Sequence, residues 1–370
     1  MASALFSNAT GRPTEFGRIH PPDNDWLAAA PTEDVLFPEQ DIVDPHHHLW
    51  DHPGFRYLLD DFLDDSGSGH RITSTVFAEC LSMYRRGGPA SLRPVGETEF
   101  VAGVNAMCAS GRYGETQVGA GIVGFADLRL GAGVEEVLQA HLAASDGRFK
   151  GIRFATSWDA DEAIESSHTG SAPHLLNDPT VVAGARTLAR MGLSLDVWVF
   201  FPQLGDVASL VDELPEDATI VLDHCGGPLG YGRYSRDKAE HFAQWERGVR
   251  AVARRPNVAC KIGALVARLA EFDYRVAPRP ASSTQLADLW RPWIETCIEA
   301  FGPQRCMFES NYPVDKVGVP YRTLWNTFKR VTEGASSNER GELFAGTARR
   351  IYRLDPGTGA ELATDHGDEQ

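Results

Sequence analysis

Residues 44–51 read Asp-Pro-His-His-His-Leu-Trp-Asp. The apolar residues Ile42 and Val43 lead into them, so the stretch reads as the end of a β-strand. Side chains alternate between the two faces of a strand, which puts His46 and His48 on one face and His47 on the other. Two imidazoles on one face are a pair of metal ligands in waiting. A run of histidines inside the chain, with strand-like flanks, does not read as a purification tag.

Working outward from this strand, the same kind of β-rich run recurs. QDIVDPHHH, ITSTVFAEC, QVGAGIVGFADL, FKGIRFA, LSLDVWVF, TIVLDHC, NVACKIGA and RCMFESNYPV are eight strand candidates. Between them lie segments with apolar residues at helical spacing, such as VEEVLQAHLAAS, GDVASLVDEL and EHFAQWERGVRAVARR. Eight β/α alternations predict a (β/α)8 barrel in the α/β class, a fold that runs to this length as one domain. A doubly wound open sheet is the rival, but the G-x-G-x-x-G turn expected after its first strand is missing. Residues 40–354 form the expected barrel. Residues 1–39, with five prolines, read as an irregular arm over its surface, and 355–370 as a polar tail. Loops 156–178 and 264–285 follow strands on the side where barrel sites form, so they are candidate lids.

Composition bounds the function. The chain has 370 residues, 42% hydrophobic and 23% charged, which suits a globular protein with a large core. Acidic residues exceed basic ones 51 to 35, and no Lys/Arg block tracks a phosphate backbone, so nucleic acid is not an expected partner. A small molecule is the expected partner, and a homo-oligomer is compatible with the chain. The six cysteines form no C-x-x-C pair, which points to neither a disulfide framework nor a thiolate zinc site. With no signal-peptide pattern and no eighteen-residue apolar run, the expectation is a cytoplasmic protein off the membrane.

In a barrel the C-terminal strand ends meet at one mouth. Collecting the polar residues there gives His46 and His48 from the first strand, Glu79 from the second, Lys150 and Arg153 flanking the fourth, His224 from the sixth and Asn311 from the eighth. Lys261, after the seventh, reads as a residue reaching solvent. His46, His48 and His224, with Glu79, are the candidate ligands of one divalent metal, zinc first. Arg153 and Lys150 suit an anionic substrate group, with Trp50, Tyr84, Trp158, Trp198 and Tyr312 as loop aromatics for a ring-shaped or apolar one.

Together, D-P-H-H-H-L-W-D, F-K-G-I-R-F, L-D-H-C-G-G-P and M-F-E-S-N-Y-P-V-D resemble the amidohydrolase superfamily over about residues 40 to 352. Within it they resemble the amidohydrolase 2 group, which includes lactonases for pyrone dicarboxylates, muconolactones and sugar lactones. The resemblance implies a distorted (β/α)8 barrel with His46 and His48 as the H-x-H pair and His224 as the strand-six histidine. Two departures stand out. Asn311 occupies the place of the usual strand-eight aspartate, and an amide cannot take a proton from water near neutral pH. Strand five, Asp196-Val197-Trp198-Val199-Phe200, lacks a histidine ligand, which argues against a binuclear centre with a bridging carbamylated lysine. The lactonase branch shares this poorer ligand set, and a metal-independent reaction stays open.

The expected activity is hydrolytic opening of a lactone by activated water, with a non-oxidative decarboxylase and a catalytically silent binding barrel as alternatives. Glu79 or His224 is the expected general base, Glu79 with its pKa raised by burial, and Asn311 an orienting group. Glu309 shares the face of Asn311 but lies one layer deeper, about 6–7 Å along the strand, which reads as too far for direct contact.

Overall fold

The computed structural model describes residues 19–161, 164, 166–269, 274 and 276–354. Eight parallel strands follow one another around a sheet: β1 (Asp41–His47), β4 (Arg71–Ala78), β5 (Gln117–Gly124), β6 (Phe149–Ala155), β7 (Ser194–Trp198), β8 (Ile220–Leu222), β9 (Val258–Ile262) and β10 (Cys306–Phe308). The sheet closes on itself. His47 bridges Tyr312 in parallel, the Asn311 amide donates to the His46 carbonyl (2.9 Å), and the His48 amide donates to the Tyr312 carbonyl (2.7 Å). A helix follows every strand, from Leu59–Ser66 after β1 to Tyr321–Val331 after β10, which makes a (β/α)8 barrel.

The helix starts are legible in the chain. Asp178 caps Pro179–Arg190 through the Thr180 amide, with proline at the first helical position, and Ser282 forms a capping box with Gln285 ahead of Ser283–Phe301. An antiparallel hairpin of β2 (Trp50–His52) and β3 (Phe55–Tyr57) sits between β1 and its helix; periodicity gave no sign of it.

Packing divides into two shells. Outward residues such as Ile42, Phe77, Ile152, Val197, Leu222 and Phe308 pack under the helices. Inside the barrel, Val43, Val76, Val123, Val221, Ala259 and Met307 form an apolar floor, joined by Tyr352 and Leu354. Alternation from the inward Val43 would turn His47 inward as well. The β1–β4 register shifts between Asp44 and His47, so the chain changes parity at Pro45. His46 thereby faces the lumen, while His47 stacks on Phe62 (4.3 Å between ring centres) and bonds Thr75 Oγ1 (2.7 Å) on the outer face.

Residues 1–18 of the expected arm and the tail 355–370 lie outside the described residues. The rest of the arm includes a short helix, Asn24–Ala28, whose Trp26 donates its indole N–H to the Ala277 carbonyl (2.7 Å). Glu33 accepts from the Ser283 amide (2.7 Å) and from Asn326 (3.1 Å), fastening the arm to two barrel helices. No helix among the described residues is long and apolar enough to cross a membrane.

Candidate functional site

Above the apolar floor the lumen turns ionic. Lys261 points inward from β9 and is fully buried, with Nζ 2.6 Å from Asp196 Oδ2, 3.3 Å from Asp223 Oδ1 and 3.2 Å from His46 Nδ1. The Tyr352 hydroxyl adds a second hydrogen bond to Asp196 (2.6 Å). Burial alone would lower the lysine pKa, but Asp196 and Asp223 outweigh it and raise it. Lys261 is therefore a fixed internal cation and not the solvent-reaching residue expected from sequence.

The next layer orients the histidines. Glu309 Oε1 accepts from His224 Nδ1 (2.7 Å) and from the His224 amide (3.2 Å), and Oε2 lies 3.0 Å from His46 Nδ1. A carboxylate one layer below Asn311 thus touches both imidazoles, contrary to the expectation of no direct contact. Gly263 makes the room: a Cβ there would come within 2.5 Å of Glu309 Cγ and the Glu309 carbonyl. Desolvation pushes the Glu309 carboxyl up to about 8 despite Lys261. His48 Nδ1 faces the Ala78 carbonyl (2.8 Å), which can only accept, so His48 carries its proton there and keeps a lone pair on Nε2. His46 lies between two donors, Arg153 NH1 at Nε2 (3.3 Å) and Lys261 Nζ at Nδ1 (3.2 Å). Burial lowers the pKa of all three imidazoles, that of His224 to about 3, and the positive charge of Arg153 adds to it. Both His224 and Asn311 sit in the left-handed backbone region, at φ 57° and 53°. Such geometry is held by surrounding structure and gathers at functional sites.

Arg153 spans the site from β6. Its Nε donates to Glu79 Oε1 at 2.9 Å, a further bond reaches the Glu79 carbonyl, and His168 Nε2 lies 3.4 Å from Glu79 Oε2. Burial works to raise the Glu79 pKa, yet the charges of His168 and Arg153 hold it down at about 2. Glu79 is thus a permanent counterion for Arg153. The raised pKa expected for a general base is overturned, because the guanidinium outweighs desolvation.

The mouth holds a pocket lined among others by His48, Trp50, Arg153, Trp198, His224 and Asn311. These six were expected at the mouth. The others fall elsewhere. His46 lies just beneath the floor of the pocket and is fully buried. Lys150 occupies the opposite end of the barrel, where Nζ bonds the Gly147 and Arg353 carbonyls (2.9 and 3.3 Å); it sits at the start of β6, three residues before Arg153. Tyr312 is buried against Tyr321 with its hydroxyl on the Val319 carbonyl, and Tyr84 and Trp158 do not line the pocket. Sequence reasoning passed over Asp223, His52, Ser167, His168 and Arg268. Only Asp223, next to His224 in L-D-H-C, and the loop positions of His168 and Arg268 offered a signal.

The donor set fits a divalent metal. His46, Asp223 and His224 bring ligand atoms within 4.8 Å of one another. Both Asp223 oxygens lack a hydrogen-bond partner among the described residues although fully buried, with Lys261 as the ion-pair partner of Oδ1 at 3.3 Å. Buried carboxylate oxygens beside imidazoles are what zinc accepts, and a carboxylate on Nδ1 is the usual device for presenting Nε2 to the ion.

Comparison with known proteins agrees with the geometry. The amidohydrolase family model matches residues 43–354, most of the chain, so this protein belongs to the amidohydrolase family and is an enzyme. It is 31% identical to an uncharacterised protein of Sinorhizobium fredii over 85% of this chain and 98% of that one. It is 28% identical to the L-fucono-1,5-lactonase of Burkholderia multivorans, over 86% of this chain and 98% of that enzyme. A Burkholderia multivorans amidohydrolase solved with bound zinc superposes with a TM-score of 0.63 at 25% identity, covering 85% of this chain and 99% of that one.

Proposed function

We propose that this enzyme hydrolyses a lactone with the help of one zinc ion held by His46, Asp223 and His224. The observation that carries the reading is the buried cluster of His46, Asp223 and His224, whose ligand atoms lie within 4.8 Å of one another, with His224 Nδ1 held by Glu309 at 2.7 Å. The similarity to an L-fucono-1,5-lactonase along nearly its whole length supports the substrate class. Bound there, zinc supplies Lewis acidity that activates water at neutral pH.

The chain's own groups do the rest. Arg153, locked by Glu79, presents a guanidinium to the pocket floor and stabilises negative charge as it grows on the lactone carbonyl oxygen. His48 Nε2 takes the proton of the attacking water and returns it to the ring oxygen as the C–O bond breaks. With its Nδ1 proton held on the Ala78 carbonyl, His48 has the Nε2 lone pair free to accept. Trp50 stacks on His48 (5.7 Å between ring centres) and shields it from bulk water. Asn311 lines the pocket with its amide nitrogen on Asp315 (3.2 Å), leaving its oxygen to position a substrate hydroxyl.

The test is a panel of lactones and benzoates followed by acid release and carbon dioxide release separately, with elemental analysis before and after chelation. Lactone opening, close to one zinc per chain, and loss of turnover on chelation with recovery on adding zinc are expected. His48→Gln should lower kcat by about 10²–10⁴-fold. Carbon dioxide from benzoates without lactone opening would make this a decarboxylase, and full activity without metal would remove the zinc.

A further inference from the structure

Two guanidiniums flank Trp198 in the pocket, and they differ in what neutralises them. Arg153 Cζ lies 5.5 Å from the indole centre and is paired with Glu79. Arg268 Cζ lies 5.0 Å from the same ring and 5.6 Å from that of Phe200, on the short helix Val266–Leu269 that follows β9. Arg268 is only 8% exposed and lines the pocket. The one side-chain hydrogen bond it makes among the described residues is from NH1 to the Tyr231 hydroxyl at 3.3 Å, and no carboxylate there forms an ion pair with it. Asp315, an acid whose charge interacts with Arg268, is pushed up to about 8 by burial. Among the described residues this desolvated, pocket-lining guanidinium therefore has no carboxylate paired with it, and buried cations are stable only with such a partner.

We propose that Arg268 is the binding group for a carboxylate carried by the substrate, so that the enzyme acts on acidic lactones in preference to neutral ones. This rests on the lactonase reading and narrows it. Arginine's planar fork matches a carboxylate with two parallel hydrogen bonds, which a neutral hydroxyl or ester cannot supply. Arg153, paired with Glu79, serves the reacting carbonyl, and Arg268 serves the carboxylate. Recognition of the anionic group therefore moves from Lys150, which lies at the wrong end of the barrel, to a loop residue on the mouth side.

Two measurements on the whole enzyme test this. The first is binding without turnover: tryptophan fluorescence titration with tetrahydrofuran-2-carboxylate and with its neutral amide. Wild type should bind the acid at least tenfold more tightly than the amide, Arg268→Gln should lose that difference, and Arg268→Lys should keep part of it. The second is kinetic: kcat/KM for a carboxylated lactone against its methyl ester, with Arg268→Gln costing at least tenfold more for the acid and the excess falling in KM. Equal binding of acid and amide by wild type, or an equal loss for acid and ester in the variant, overturns the proposal. A preference for the acid in binding, with no lactone opened, leaves the subsite standing and removes the lactonase reading. Lactone opening indifferent to the carboxylate does the reverse.

Discussion

At the residue scale, function turns on what each buried charge is paired with. Glu309 accepts from His224 Nδ1, so Glu309→Gln, which can donate as well as accept, leaves the His224 proton position undefined. Zinc affinity and kcat should each fall by about 10–100-fold, measured by metal titration and steady-state kinetics, with the melting profile little changed. Glu79 behaves differently. Glu79→Gln leaves the buried Arg153 without its ion-pair partner, so the expected result is a loss of about 3–5 kcal/mol in urea unfolding as well as lost turnover. A Glu79→Gln protein as stable as wild type would show that Arg153 finds another partner.

At the scale of elements, β9 and β10 are fitted to each other at the site. Gly263, just beyond β9, has no side chain because Glu309 fills that space. Gly263→Ala puts a methyl against the Glu309 Cγ and should cost about 1–3 kcal/mol while displacing the carboxylate from the histidines. Thermal melting together with zinc content reads both effects; loss of stability with full zinc binding would separate packing from orientation. The parity change at Pro45 is a second fit of this kind, since it lets one strand begin with Val43 in the floor and end with His46 in the ionic layer. The alternation of His46, His47 and His48 was legible because it is local. The irregularity that decides which of the two faces is the lumen was not, because it exists only in the pairing with β4.

Across the whole molecule, buried titratable groups make stability depend on pH. Glu97 is buried, accepts from the Cys80 and Ser82 amides (3.1 and 2.8 Å) and is pushed up from 4.5 to about 8, by desolvation first and the Glu79 charge second. The folded chain then holds a proton that the unfolded chain releases. The resulting stability is complete below about 4.5 and is lost as pH rises through about 8. His47 and His70, both lowered by burial to about 3, act in the opposite sense: the unfolded chain binds their protons first, so stability falls as pH drops from 6.5 toward 3. Glu97→Gln removes the Glu97 contribution to the alkaline slope, leaving those of Glu309 and Asp315. Urea midpoints measured from about pH 5 to about pH 9 should show this variant gaining steadily on wild type, and a constant difference would mean that Glu97 is ionised throughout.

By itself the sequence determined the repeat of strand and helix, the closed barrel that follows from it, and the mouth to which His48, Trp50, Arg153, Trp198, His224 and Asn311 are delivered. These follow from periodicities of two and 3.6 residues and from the strand-end rule, all readable within a short window of chain. Only the tertiary structure decided that Glu79 is a counterion, that Lys261 is buried, that Lys150 lies at the far end, and that Glu309 holds two histidines. The ionic outcomes depend on partners distant in the chain: Arg153 lies 74 residues from Glu79, His224 lies 85 from Glu309, and Asp196 and His46 lie 65 and 215 from Lys261. The electrostatic state of a group is set by distance and desolvation in the closed barrel, and residue spacing along one strand carries neither.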